Sequence, residues 1–463
     1  MTSFPRATAI AAAVRAGATS ARAATEASLA RIDAGNPALN ALVAVHRQEA
    51  LAQADAVDRR VGAGEALPLA GVPVAVKDTL WVAGQRVTQG SRLFADFHAP
   101  ADAIAVERLR AAGAVVVGMA NSSEFACKGV TTNPLFGPTR HPMDPSLTPG
   151  GSSGGPAAAV AGGLVPLALG TDAGGSSRRP PAHVGAVGLK PSFGAIPYGP
   201  GFAEPFVGLA VMAPIAADVA DTARMFEALA GPDPRDPDSV AVAAGEHRPP
   251  ETLTVAYSPR FGLDAPVDDD VRDAVERAVE ALARAGARIL RRDPVWPAGV
   301  TETALMPLQH AGLAALYGTA FRRDPALFDP DIAAQIERGL SLSGAEVAAV
   351  QILSAEVARA LAGFFADADL LVGPTTPCVA WPLDRLGPER IGGQPVPPRA
   401  HAVFTPLINH AKAPALSLPC GAGRDRLPVG LQVVGPRGLD RRVLRFAAVA
   451  ERAFAELCPG AGS

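Results

Sequence analysis

Residues 146–191 read SLTPGGSSGGPAAAVAGGLVPLALGTDAGGSSRRPPAHVGAVGLKP, a stretch dominated by Gly, Ser, Ala and Pro. A flexible linker of that composition would be polar and repetitive. This one carries an apolar run over 157–169, so it reads as structured turns joined by buried elements. In Gly150-Gly151-Ser152-Ser153-Gly154-Gly155, glycines on both sides let the backbone take dihedrals closed to other residues and let a ligand approach closely. The string also satisfies G-x-S-x-G, but that elbow must follow a strand. Residues 144–149, with two prolines and no apolar run, cannot supply one. In Gly170-Thr171-Asp172-Ala173-Gly174-Gly175-Ser176, a serine behind three small residues can have several backbone N–H groups turned towards an oxyanion. No lysine follows as a phosphate-binding loop requires.

Outward from this stretch the pattern is α/β. Val72, Val74 and Val76 alternate in a short strand ending at Lys77-Asp78. A lysine at a strand end is ordinarily a solvated edge charge; burial would instead lower its pKa and free a lone pair. A helix over 103–112 leads into the apolar run 114–117, a buried strand. Ser20 caps a helix expected to stop near Gly35-Asn36-Pro37, and a second helix covers 46–61. Residues 253–257 and 287–290 read as strands around a helix with Val271, Val275, Val279 and Leu282 on one face, a βαβ-like unit. Ser343 and Glu346 form a capping-box signature for a long helix through 365, followed by a strand at 370–372. The expected architecture is one α/β domain spanning 1–463, a mixed sheet between helical layers. Its core is placed at 65–215 and 365–455, with a helical rim over the pocket at about 220–350.

Composition sets the outer bounds. Apolar residues at 48% and charged ones at 19% exclude a disordered chain. With 42 basic against 45 acidic side chains, no global field recruits nucleic acid or an anionic membrane. Cys127, Cys378, Cys420 and Cys458 form no C-x-x-C pair, so reduced thiols are expected rather than disulfides. Histidines and cysteines are scattered, which implies no metal site. No stretch of 18 strongly apolar residues stands out, and Gly, Ser and Pro punctuate the uncharged stretch 146–171, so no membrane span is expected. Arg6, Arg15 and Arg22 fit an Ala-rich surface helix better than a targeting segment. The protein is expected in the cytoplasm.

Taken together, Lys77, the Ser152–Ser153 hexamer and the Ser176 loop, with Ser152 and Ser176 24 positions apart, resemble the amidase signature family. The likeness runs through Gly71 to Asp78, Gln89-Gly90-Ser91, Glu124-Phe125-Ala126, Phe136 to Arg140, Pro149 to Pro156, Gly185 to Pro191, Gly373 to Pro377, Asn409 and Leu427 to Gln432. It covers almost the whole chain. The resemblance implies Ser176 as nucleophile, Ser152 as bridging serine after a cis peptide bond, and Lys77 as general base. The N–H groups of Ala173, Gly174, Gly175 and Ser176 would bind the oxyanion, and no cofactor is implied. Asp172 would orient Arg178 beneath the loop; His183, where relatives carry an aromatic, is taken as structural.

The resemblance implies a small-molecule amide as substrate. Where the family has one arginine after the nucleophile, this chain has Arg178-Arg179, and an arginine fork suits a carboxylate. Arg179 is therefore a candidate anchor for an acid-bearing amide such as a dicarboxylic half-amide or a carboxylated ureide. Ser153, Phe125 and His141 are further candidate substrate contacts. His141 stands where many relatives have Asn, and Pro156 where they have a small residue. The main rival is the A subunit of a glutamyl- or aspartyl-tRNA amidotransferase, which shares the three catalytic residues. Its Y-G-x-V-S…F-A-S-S-L-D-Q stretch is replaced here by Phe193-Gly194-Ala195-Ile196-Pro197 and residues 206–212, favouring a stand-alone hydrolase. Two more readings are a ureide amidohydrolase that works with a small accessory subunit, and a non-catalytic scaffold, which would have lost one of the three residues. Relatives commonly form homodimers. The further C-terminal domain of allophanate-degrading relatives is not expected after the helix at 442–456.

Overall fold

The structure, a computed structural model, describes residues 4–458 apart from 245–247, 250–251 and 302. The main sheet contains β1 (Leu42–Val45), β2 (Pro73–Lys77), β3 (Val115–Ala120), β4 (Leu167–Asp172), β5 (Val187–Lys190), β6 (Val211–Ala216), β7 (Thr254–Tyr257), β8 (Arg288–Arg291) and β9 (Leu370–Pro374). Between them and the last two strands lies a separate ribbon of β10 (Arg390–Ile391) and β11 (Gln394–Pro395). The sheet closes with β12 (Ala415–Ala422) and β13 (Pro428–Val434). Its 11 strands run in the order β1-β3-β2-β4-β6-β5-β12-β13-β9-β7-β8. Pairings of β2 with β3 and β4, and of β7 with β8 and β9, are parallel. The centre, from β4 through β6, β5, β12 and β13 to β9, is antiparallel. Every residue of β2, β3 and β4 is buried, so both faces are covered, and the strands read as runs of Val, Ala and Leu rather than as a polar alternation.

Register brings the candidate residues together. β2 and β4 pair in parallel with Val76 opposite Leu169, so Lys77 and Thr171-Asp172 leave the sheet at the same carboxyl edge, where α/β sheets bind ligands. The chain enters β4 from the helix Gly154–Ala161, which places Ser152 and Ser153 just before that helix and above the same edge.

The sheet takes in more chain than 65–215 and 365–455. β1 pairs with β3 from the N-terminal side, and β7 and β8 extend the far edge. The βαβ unit is present, with Val271, Val275, Val279 and Leu282 of the helix Asp269–Arg284 all buried. The helices of the rim are Pro307–Arg323, Pro330–Ser341 and Gly344–Phe364. The last carries the complete capping box of Ser343 and Glu346. At 21 residues it is also long and apolar enough to cross a membrane by length and composition. Its Ala-rich outer face raises the hydropathy, while Val350, Val357, Leu361 and Phe364 pack inward. The helix beginning at Ala21 runs past Asn36-Pro37 to Leu39. The Asn36 side chain then accepts from the amides of Ala41 and Leu42 and ends it.

The rim is clamped to the sheet domain by an aromatic cluster. Phe125, with φ 51°, stacks on Tyr317 at 4.0 Å and 16° and packs with Leu313, Phe328, Ile332 and Ile336. Gln309 and Gln335 both donate to the Cys127 carbonyl. Phe125, a candidate substrate contact by sequence, packs its ring in this cluster. Phe125→Ala should lower unfolding stability by about 3–5 kcal/mol in urea titrations. A substrate-contact role would raise KM with no such loss.

Candidate active site

Lys77 is fully buried and surrounded by hydroxyls. Its Nζ donates to Ser152 Oγ at 2.8 Å, Ser153 Oγ at 2.9 Å and Thr171 Oγ1 at 2.9 Å. Ser152 Oγ donates to Ser176 Oγ at 2.9 Å, and the Ser152 N–H points at the same oxygen at 3.2 Å. The Gly151–Ser152 peptide bond is cis. Burial lowers the Lys77 pKa from its ordinary value to about 7, with the charge of Asp172 pulling the other way. Near neutral pH a large fraction of this amine is uncharged, which an exposed lysine is not. Ser153, a candidate substrate contact by sequence, accepts from Lys77 and donates to the Thr171 carbonyl at 3.1 Å. With both directions spent, it holds the lysine in place. Thr131, which the motifs do not single out, straps the loop: it donates to the Gly150 carbonyl at 2.9 Å and accepts from the Gly154 N–H at 2.9 Å.

The Ser176 loop is folded around one buried carboxylate. Asp172 Oδ1 accepts from Gly175 N–H at 2.7 Å, Arg178 Nη2 at 3.0 Å and Asn409 Nδ2 at 2.8 Å. Its Oδ2 accepts from Ser177 N–H, Ser177 Oγ and Arg178 Nε. Arg178, itself fully buried, also donates to Thr405 O, Gln432 Oε1 and Asn409 Oδ1. Burial alone would raise the Asp172 pKa, but the Arg178 charge and hydrogen bonds, with Lys190 and Asn409, hold it well below the usual carboxylate range. The family resemblance points the Gly175 N–H at the oxyanion; it is instead given to Asp172. Among the described residues the N–H groups of Ala173, Gly174 and Ser176 meet no protein acceptor. Gly175, at φ 116°, cannot be replaced without conflict, because a Cβ there would lie 2.1 Å from Thr405 Oγ1. A Cβ on Gly174 would meet nothing within 4 Å, so open space adjoins the loop on that side.

The other candidates separate. His141 donates from Nε2 to the His183 carbonyl at 2.8 Å, while its Nδ1 accepts from Met143 N–H at 3.1 Å. Both ring nitrogens are occupied, and the bond to the His183 carbonyl props the helix that follows Ser176. Arg179 is buried; its Nη2 reaches the Gly151 carbonyl at 3.3 Å, and its Nε lies 3.2 Å from where a Gly175 Cβ would be. It therefore bridges the two serine loops.

Residues 23–444 match the Amidase family. The chain belongs to that family. It is accordingly a hydrolase of amide C–N bonds built on a mixed α/β sheet. This amidase is 34% identical over 469 residues to the glutamyl-tRNA(Gln) amidotransferase A subunit of Koribacter versatilis, covering 94% of this chain and 95% of that protein. The corresponding protein of Alkalilimnicola ehrlichii is 37% identical, with 94% of each covered. Among solved structures, a bacterial aryl acylamidase of the amidase signature family superposes with a TM-score of 0.89 at 29% identity, covering 97% of this chain and 96% of that one. A 6-aminohexanoate cyclic dimer hydrolase superposes with a TM-score of 0.83 at 27% identity, covering 99% and 98%.

The Asp172–Arg178 pair yields a prediction for this amidase. Arg178→Met leaves a carboxylate buried without its counter-charge and should cost about 3–5 kcal/mol. Asp172→Ala combined with Arg178→Met should recover part of that loss in a double-mutant cycle of melting temperatures. Additive losses would remove the pair from its organising position.

Proposed function

We propose that the enzyme hydrolyses a small carboxylate-bearing amide through an acyl-enzyme on Ser176, with Ser152 as proton relay and Lys77 as general base. The observation that carries this is the unbroken Lys77–Ser152–Ser176 hydrogen-bond chain ending in a buried amine of lowered pKa. With Lys77 neutral, the two hydroxyl protons turn towards it. As Ser176 Oγ bonds to the amide carbon, its proton passes to Ser152 and that of Ser152 to Lys77. The carbonyl oxygen becomes an oxyanion beside the amides of Ala173, Gly174 and Ser176, which cost no reorganisation because Asp172 already holds the loop. Collapse breaks the C–N bond, and the leaving nitrogen takes a proton back through Ser152. Water then attacks the ester by the same relay and releases the acid.

The chemistry near Arg179 supports an acid-bearing substrate. Its guanidinium lies against both serine loops. Relatives of 34% and 37% identity are amidotransferase subunits, which favours, as a second reading, ammonia release that needs a partner. The divergence at 193–197 and 206–212 supports independent action. No disulfide is formed by the four cysteines, which agrees with our reading of a cytoplasmic enzyme.

Purified enzyme alone should release ammonia from amides and ureides carrying a terminal carboxylate, and Ser176→Ala should lower kcat by at least about a thousandfold. Turnover of neutral amides alone would remove the carboxylate; activity only with an added partner would favour the amidotransferase reading. Because the base must be neutral, log kcat/KM should rise with unit slope below about pH 7 and level off above it. A profile that falls across roughly pH 6–8 would exclude Lys77 as the base.

A further inference from the structure

The helix Gly154–Ala161 has a serine at its N-cap, yet the side chain of Ser153 makes no capping bond. An N-cap serine ordinarily sits in extended backbone and accepts from the second or third N–H of its own helix. Ser153, at φ −92° and ψ 39°, is not extended, and the third helical residue is Pro156, which has no N–H to give. The Ser153 hydroxyl instead accepts from Lys77 Nζ and donates to the Thr171 carbonyl. Part of the cap comes from a distant segment. Thr131 Oγ1 accepts the Gly154 N–H at 2.9 Å and gives its own proton to the Gly150 carbonyl at 2.9 Å, with the Ser152 carbonyl beside it at 3.3 Å. One hydroxyl thus ties together both ends of the loop that carries Ser152 and Ser153.

Thr131 is itself held from behind. It is buried, and its carbonyl accepts from the Thr139 N–H at 2.9 Å. The Thr139 hydroxyl accepts from Asn121 Nδ2 at 3.0 Å and donates to the Asn40 carbonyl at 2.8 Å. Val130 and Thr131 lie hard against the loop. A Cβ on Gly151 would come within 2.5 Å of the Val130 carbonyl carbon, and one on Gly154 within 2.4 Å of Thr131 Oγ1. The consequence falls on Lys77. A neutral amine has two N–H groups and one lone pair. Ser153 and Thr171 accept the two N–H groups, which leaves the lone pair facing Ser152 Oγ, 2.8 Å away. Without the strap, Ser153 can relax to the extended conformation and cap its own helix through Gly155. The amine would then be free to turn its lone pair off Ser152.

We propose that Thr131 is a positioning residue of the proton relay: by tying the loop at Gly150 and Gly154 it reserves the Ser153 hydroxyl for Lys77 and so aims the amine at Ser152. Pro156 assists by withholding a competing N–H. This rests on the Lys77–Ser152–Ser176 relay proposed above. Thr131 bonds to none of the three relay side chains, so its loss acts on kcat rather than on KM. Losing the Ser153 acceptor also weakens the charged form of Lys77, on which burial acts first and Asp172 and Cys127 are the titratable groups that bear.

The test uses the panel amide that wild type cleaves fastest, with Thr131→Val, which removes the hydroxyl at nearly constant shape, and Thr131→Ser, which keeps it. Each variant is checked by its melting temperature. Thr131→Val should lower kcat by at least about thirtyfold with KM held within about threefold. Its log kcat/KM profile should bend about half a pH unit to the acid side of wild type. Thr131→Ser should recover kcat to within about fivefold of wild type and restore the bend. Where Thr131→Val does not fold, Pro156→Ala, which gives back the third N–H, carries the same readout with a fall in kcat of about fivefold. A folded Thr131→Val with wild-type kcat, with a raised KM alone, or with a lowered kcat and an unmoved bend overturns the role. Ser152→Ala in the same assay separates this role from the catalytic reading. If Ser152→Ala keeps wild-type turnover, the relay falls and the role of Thr131 with it. If Ser152→Ala loses turnover while Thr131→Val keeps it, the role of Thr131 falls alone.

Discussion

The buried Asp172–Arg178 pair is the constraint on which the site depends. Taking both charges out of water costs about as much as their attraction returns, so the pair's importance is positional. One carboxylate gathers the amides of Gly175 and Ser177, the Ser177 hydroxyl, the Asn409 amide and the guanidinium. That guanidinium fastens the loop to Thr405, Asn409 and Gln432, from two segments far along the chain. By drawing Gly175 inward, the carboxylate leaves Ala173, Gly174 and Ser176 with amides directed at no other described protein group. Asp172 also acts on Lys77: its charge pulls the amine's pKa up, but desolvation outweighs it and leaves the value at about 7.

Ser152 and Ser176 stand out locally because each lies in a short run whose glycines and small residues announce an unusual backbone, whereas Lys77, at the end of a valine strand, is singled out only by the resemblance of the ordered set. The strand ends are equally legible, since burial on both faces leaves continuous apolar runs, whereas the helix Gly154–Ala161 lies in a stretch that reads only as turns joined by buried elements. Partnership across distance is what a linear reading misses. The conflict that a Gly175 side chain would meet comes from Thr405, and Phe125 is occupied by Tyr317, in each case nearly two hundred residues or more away. His141 looks available because nothing nearby in sequence reveals that its two nitrogens are satisfied by the His183 carbonyl and the Met143 amide. The strand at 287–290 is legible from its local pattern, but that it forms the far edge of the main sheet is fixed by its pairing with β7.

The buried polar groups around the serines thus divide into two sets. The lysine and its hydroxyls are mutually satisfied before substrate arrives, which suits groups that must only exchange protons over short distances. His183 and His401, beside Trp381, have ring nitrogens without a partner among the described residues, and burial together with Arg179 keeps both rings uncharged.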